Sequence, residues 1–182
     1  PLDHPGTGAV WHLTKRVFDL VWSGIGLIGL AVLFPLIALA IYLDSPGPIL
    51  YTQERMGRNG RSFRVYKFRS MIPDAERGSA VWAEKEDPRV TRIGSILRKT
   101  HLDEFPQFVN ILKGDMSVVG PRPERPEFIQ ELAEDIPFYR VRLAVKPGMA
   151  GWGLINQGYG ASREDSLVKL QYDLYYIKHQ SL

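Results

Sequence analysis

The chain is expected to be α+β and mostly helical, with an apolar anchor near its N-terminal end, and three observations lead there. Residues 20–43 contain no charged side chain. Gly57-Arg58-Asn59-Gly60 lies between two short alternating segments and reads as a hairpin turn, because Asn and Gly accept positive φ. Beyond it, short amphipathic stretches such as Ile93, Ile96 and Leu97 carry apolar residues at helical spacing. A length of 182 residues suits one domain with its anchor. The expected division is a flexible lead over 1–14, an apolar helix over 15–44 and a single body over 45–182.

Composition narrows the classes. Hydrophobic residues make up 45% and charged residues 24%, a globular balance. There is no cysteine, which excludes disulfides, thiolate catalysis, zinc–cysteine sites and iron–sulfur clusters. The four histidines, His4, His12, His101 and His179, show no metal-ligand spacing. The net charge is +3, unevenly placed along the chain.

As a straight helix the uncharged run would extend roughly 36 Å, enough to cross a bilayer core. It is too long for a signal peptide, and no small-x-small cleavage site follows it. Pro35 sits near its middle, where it removes a backbone donor and kinks or breaks a helix. Both flanks are basic: Lys15 and Arg16 before it, Arg55, Arg58, Arg61, Arg64, Lys67 and Arg69 after it. Positive charge tends to stay cytoplasmic. The segment is therefore expected to enter, turn at Phe34-Pro35 and come back out. The alternatives are a kinked transmembrane helix and, for a soluble protein, a buried core helix. Gly24-Ile25-Gly26-Leu27-Ile28-Gly29 matches the dinucleotide-binding pattern, with Asp44 where an acid would follow. That pattern needs a preceding strand and a βαβ setting. Inside an apolar run, such glycines serve close packing.

Asp44-Ser45-Pro46-Gly47-Pro48 is a sharp exit turn. Residues 49–55 and 62–68 then read as strands. Cations recur at every third residue from 55 to 67, with Phe63, Tyr66 and Phe68 interleaved. This hairpin suits a solvated edge, anionic lipid headgroups or nucleic acid, and the anchor beside it disfavours the last. Lys67 and Arg69 are candidates to face a phosphate-bearing substrate. Residues 71–87 read as a short helix and loop containing Trp82. The segment 90–99 brings Arg98 and Lys99 toward the densest motif, Arg98-Lys99-Thr100-His101-Leu102-Asp103-Glu104-Phe105-Pro106-Gln107. Neighbouring carboxylates at 103 and 104 repel unless a metal ion or cation offsets them. Acids near a helix N-terminus also suit the dipole, a purely structural reason for the pair. Farther on, Pro121 and Pro123 bracket Arg122, fixing the backbone so that its guanidinium can grip a phosphate bidentately, or simply forming a rigid turn.

The remainder reads as an amphipathic helix over 127–135, a segment over 138–145 offering Arg140 and Arg142 to phosphates or headgroups, and a glycine-rich loop over 151–160. A last helix is expected from a Ser162 cap, with Leu167, Leu170, Leu174 and Ile177 on one face and Tyr172, Tyr175 and Tyr176 suited to a membrane interface.

Lys15-Arg16-Val17-Phe18-Asp19, Tyr66-Lys67-Phe68-Arg69-Ser70-Met71, the motif around Asp103, Gly120-Pro121-Arg122-Pro123 and Lys146-Pro147-Gly148-Met149-Ala150-Gly151-Trp152 occur in an order and spacing that resembles the monotopic phosphoglycosyl transferases, also called the bacterial sugar transferase family. The resemblance runs from about Lys15 to the C-terminus. It implies transfer of a sugar-1-phosphate from a UDP-sugar to a polyprenol phosphate such as undecaprenyl phosphate. The product would begin a lipid-linked bacterial glycan: exopolysaccharide, O-antigen or a glycoprotein glycan. It implies Mg2+, a covalent phosphosugar–aspartate intermediate, Asp103 as nucleophile and Glu104 as its partner acid, both of them candidate metal ligands. Lys67, Arg98 and Arg122 fall on family active-site positions. The family's membrane break often reads Ser-Pro, and here it reads Phe34-Pro35. The implied location is the bacterial inner membrane, with the catalytic body on the cytoplasmic face, membrane lipids as neighbours and no nucleic acid; homo-oligomerisation stays open. A non-catalytic membrane scaffold recruiting partners through the basic hairpin is the reading from another class.

Overall fold

The computed structural model describes residues 8–73, 75, 87–157 and 163–179. The expected helix and loop with Trp82, most of the 1–14 lead, the second half of the glycine-rich loop and the Ser162 cap fall wholly or largely outside them.

Helix α1, Ala9–Asp44, takes in the whole uncharged run. It begins at Ala9, so the last part of the expected lead is helical; nothing after Gly8 breaks it before Pro35. Pro35 lies inside a continuous helix, so the expected break at Phe34-Pro35 does not divide α1 into two helices. The lost i−4 hydrogen bond can be absorbed by a bend while the turns on either side persist. Most of the helix's apolar surface is uncovered: Val10, Ile28, Val32, Leu36 and Leu43 are exposed. Leu30, Ile37 and Ile41 face inward.

The hairpin forms as its turn predicts. Strands β1, Leu50–Met56, and β2, Ser62–Phe68, pair antiparallel with Tyr51 opposite Lys67 and Arg55 opposite Phe63. Asn59 at φ 58° and Gly60 at φ 74° make the turn. Strand periodicity puts Arg55, Val65 and Lys67 on one face. Val65 is sealed there, while Arg58, Arg61 and Arg64 are exposed.

Helix α2, Arg92–Lys99, is capped by Thr91, whose hydroxyl accepts from Gly94 N. A 3-10 turn, Leu102–Gln107, runs into α3, Phe108–Lys113. Strand β3, Ser117–Val119, pairs in parallel with β4, Gly148–Ala150. Gly120 and Gly148 approach so closely that a β-carbon on Gly148 would overlap the Gly120 backbone. Helix α4, Pro126–Asp135, starts with proline in its first turn, where no N–H is needed. A 3-10 turn, Tyr139–Ala144, follows it. Trp152–Gln157 forms helix α5 where a glycine-rich loop was expected. The two glycines at 151 and 153 flank only one residue, and 154–157 contain no glycine to interrupt helical bonding. Helix α6, Arg163–His179, closes the chain's described part.

Three apolar clusters hold this together. Leu30, Ile37 and Ile41 of α1 pack with Phe68 and Leu97. Val65, Ile111 and Met116 join β2 to α3. Phe128, Ile129, Leu132, Ile136, Tyr139 and Leu170 join α4 to α6. Each buried aliphatic side chain stabilises its cluster by about 2 kcal/mol. The site lies where the first two clusters meet.

Candidate active site

The acidic pair owes its place to a turn. Helix α2 ends, His101 takes the left-handed conformation at φ 57°, and the chain re-enters helical geometry as the 3-10 turn. Pro106 lies inside this turn, where it removes one backbone donor. With three residues per turn, residues 104 and 107 share one face. Asn110 fixes this unit to the hairpin: its side chain accepts from Tyr66 N at 3.1 Å and donates to Arg64 O at 2.8 Å.

Glu104 is 4% exposed and held by two cations. Lys67 Nζ donates to Oε1 at 2.9 Å. Arg122 Nη2 donates to the same oxygen at 2.5 Å, and Nη1 to Oε2 at 3.3 Å. Burial alone would raise this carboxyl. The charges of Lys67 and Arg122 and their hydrogen bonds outweigh it and hold Glu104 well below the usual carboxylate range.

Arg122 is presented by a strap whose four consecutive carbonyls are all tied. Gly148 N donates to Pro121 O at 2.8 Å. Arg142 Nη2 donates to Arg122 O at 3.0 Å and Arg55 Nη1 to Pro123 O at 3.3 Å. Met56 N donates to Glu124 O at 2.8 Å. The flanking prolines thus fix the backbone, and β4, β1 and two arginines fix the strap. Arg142, expected to meet phosphates or headgroups, is instead buried. It pairs with Asp173 at 2.8 Å and donates to Tyr139 Oη at 2.7 Å. Burial would lower it, and the Asp173 carboxylate keeps it charged, with its value raised.

Asp103 contrasts with its neighbour. It is 7% exposed, and no hydrogen bond or ion pair reaches its carboxylate among the described residues. Burial raises it above the ordinary aspartate value, against the pull of Lys67; the adjacent Glu104 charge adds to the rise, and Arg98 and Arg122 oppose it. Arg98 donates from Nε to Ser70 Oγ at 2.9 Å. Its two terminal nitrogens have no partner among the described residues and lie within electrostatic reach of Asp103.

The structure therefore gathers Asp103, Glu104, Lys67, Arg98 and Arg122, with Pro121 and Pro123 shaping the strap. Arg69 is engaged elsewhere: it donates to the carbonyls of Ser45 and Pro46, pinning the exit turn. Phe34 packs on Phe68 with ring centroids 5.5 Å apart, directly behind Lys67. Beside the pair opens a small cleft lined by Arg55, Val65, Lys67, Gln107, Arg122 and Pro123. Sequence reading gave Arg55 no site role, because charge spacing does not say which strand face turns inward; the alternation around Val65 held that signal.

No group of three His, Asp or Glu suited to a metal exists among the described residues. A divalent cation that keeps its waters and takes ligand phosphates needs only one or two carboxylates. Asp103 offers oxygens that have no partner among the described residues; Glu104 Oε1 already serves two cations.

The family model described as bacterial sugar transferase matches residues 10–182. The chain belongs to the bacterial sugar transferase family. Among its relatives is an Aeromonas hydrophila protein named UDP-N-acetylgalactosamine-undecaprenyl-phosphate N-acetylgalactosaminephosphotransferase. It is 43% identical over 173 residues, 95% of this chain and 41% of the relative. A Komagataeibacter xylinus undecaprenyl-phosphate glucose phosphotransferase is 46% identical over 93% of this chain and 33% of its own length. A UDP-glucose:undecaprenyl-phosphate glucose-1-phosphate transferase of Escherichia coli is 40% identical over 100% of this chain and 40% of the relative. The chain thus spans between a third and about two fifths of these relatives' own length. Their names differ in the sugar at similar identity, so overall similarity does not select one. The matched stretch includes Lys15-Arg16-Val17-Phe18-Asp19. Asp19 Oδ1 accepts from Ser117 Oγ and Val118 N, each at 2.9 Å, and Lys15 Nζ donates to Ser117 Oγ at 2.6 Å. That motif docks α1 on β3, the strand leading into the Arg122 strap.

Proposed function

We propose that this chain transfers a sugar-1-phosphate from a UDP-sugar to a polyprenol phosphate, undecaprenyl phosphate in the bacterial setting, and so initiates lipid-linked glycan synthesis. The observation that carries this is the split between two adjacent carboxylates. Glu104 is saturated by Lys67 and Arg122, while Asp103 is buried beside the same cations with no partner among the described residues. An unpaired carboxylate among cations suits attack on phosphorus.

In the first half-reaction a carboxylate oxygen of Asp103 bonds to the sugar-bearing phosphorus. The bond from that phosphorus to the bridging oxygen breaks, and UMP leaves with the electron pair. In the second, an oxygen of the polyprenol phosphate attacks the same phosphorus, and the Asp103 carboxylate departs with its electrons. No proton is needed in either step. Glu104 is held too far below the usual range to take up a proton near neutrality. Its role is to fix Lys67 and Arg122 toward the phosphoryl oxygens. Arg98 offers further donors from the other side. Mg2+, held by Asp103 with phosphate oxygens and water, would offset the diphosphate charge and ease departure of UMP.

The same reading places the protein on the cytoplasmic face of the inner membrane, with α1 dipping into the bilayer and returning. Helix α1 is, by length and composition, long and apolar enough to cross a membrane. Yet it touches one body along its length. Asp19 binds Val118 N, Phe34 stacks on Phe68, and Asp44 Oδ2 accepts from Ile93 N at 2.9 Å. A single crossing would put those two ends on opposite sides of about 30 Å of hydrocarbon. Exposed Ile96 and Leu112 beside exposed Lys99 and Lys113 suit a headgroup boundary on α2 and α3. A scaffold working through a basic hairpin is weakened, because Arg55 and Lys67 turn into the cleft.

The test uses detergent-purified protein, Mg2+ and UDP-sugars carrying label in the sugar phosphate. Wild type is expected to release UMP and to carry label; Asp103→Asn is expected to do neither. Normal turnover by Asp103→Asn would remove the assigned nucleophile.

A further inference from the structure

Two side-chain amides sit close together in this fold, and only one has partners. Asn110 is fully buried and uses both ends, accepting from Tyr66 N and donating to Arg64 O. Gln107 is 2% exposed, and its amide makes no hydrogen bond among the described residues. A fully sealed amide without a partner would cost about 1–3 kcal/mol. The Gln107 amide is not sealed: Trp11 Nε1 is the one side-chain polar atom enclosed without a partner among the described residues. Gln107 instead lines the cleft with Arg55, Val65, Lys67, Arg122 and Pro123.

The geometry points to Gln107 as a substrate contact that donates its amide N–H to a nonbridging oxygen of the donor's diphosphate. The position follows from the turn: with three residues per turn, Gln107 lies below Glu104 on one face. The polarity follows from the walls. Arg55, Lys67 and Arg122 line the cleft and no acid does, so an anionic oxygen entering it meets donors on every side and accepts. The amide adds a directional donor without a further positive charge, and so does not compete with Lys67 and Arg122 for Glu104. Lys67 and Arg122 supply attraction at the acidic pair, while Gln107 fixes where an oxygen sits relative to Asp103 four residues earlier.

This inference rests on the transferase reading, and a separate probe tells their failures apart. Inorganic pyrophosphate is titrated into the full chain in detergent by calorimetry, comparing wild type with Gln107→Met, near in volume and without the amide, and Gln107→Ala. Loss of one hydrogen bond to a charged oxygen is expected to weaken pyrophosphate binding roughly tenfold or more, with the unfolding midpoint of the Met variant unchanged. Wild-type affinity in the folded Met variant overturns the proposal, as does a wild-type protein that does not bind pyrophosphate. If Gln107-dependent binding is found but no UDP-sugar yields UMP, the contact stands and the transferase reading falls. If UMP is released while the Met variant binds and turns over normally, the reverse holds.

Discussion

Asp103 and Glu104 are adjacent in the chain, yet their surroundings give them opposite tasks. Glu104 takes donors from two elements far apart in sequence, β2 and the strap at 121–124, and so keeps two cations in register. Glu104→Gln removes the charge that holds them. The expected cost is about 2 kcal/mol in denaturant unfolding. This is less than for a fully sealed pair, because Lys67 and Arg122 keep 19% and 26% of their side-chain surface. The pH dependence has a definite sign. Glu104 is lowered from 4.5 on folding, so its stabilisation is present above that value and is lost as pH falls below it. Stability measured downward from about pH 5 should therefore drop more steeply in wild type than in Glu104→Gln. An identical slope in both would contradict the pairing. Sequence spacing named the acids and both cations. It left open whether Glu104 holds metal or moves a proton, because the two donors come from segments whose approach only the fold defines.

At the scale of elements, α1 does more than supply apolar surface. Asp19 satisfies Ser117 and Val118 N–H, and Gly26 lets the ring of Phe108 come so close that a β-carbon would overlap it. Phe108 directly follows the turn carrying the acidic pair, so the anchor supports the site from behind. Asp19→Ala strands a backbone donor and removes the carboxylate facing Lys15; about 2 kcal/mol of stability is expected to go, with roughly tenfold lower turnover as the Arg122 strap loosens. Gly26→Val should cost about 2 kcal/mol through the clash with Phe108. Gly29→Ala should change stability by no more than about 0.5 kcal/mol, because nothing lies within 4 Å of a β-carbon there. Equal effects at 26 and 29 would refute the packing explanation. The glycine pattern that imitates a dinucleotide fingerprint thus has a helix-packing cause at Gly26, visible only once Phe108 is placed.

For the whole molecule, the central prediction concerns sidedness. The chain has no cysteine, so single cysteines report cleanly. Gly8→Cys and Thr52→Cys flank α1 at exposed positions. In inverted and right-side-out vesicles, an impermeant maleimide should reach both from the cytoplasmic face alone. Labelling from opposite faces would mean a single crossing, and the docking of both helix ends on one body would then need another explanation. The hairpin, the amphipathic helices and the apolar anchor were all legible in the sequence, since each rests on local periodicity or turn chemistry. Helix α5 was misjudged as loop because two glycines at one end outweighed the residues after them. Arg142 was offered to phosphates because an isolated arginine carries no local sign of Asp173, its partner on α6.

The sequence alone determined the order of the motifs, the absence of thiol chemistry and the identity of the acidic pair, because these depend on residue type and near-neighbour spacing. The tertiary structure alone decided which carboxylate is saturated and which stays unpaired. It also decided that Arg55 and Gln107 face the cleft while Arg69 and Arg142 serve the framework. Those outcomes depend on which distant donors converge on an oxygen, and on which strand face turns inward.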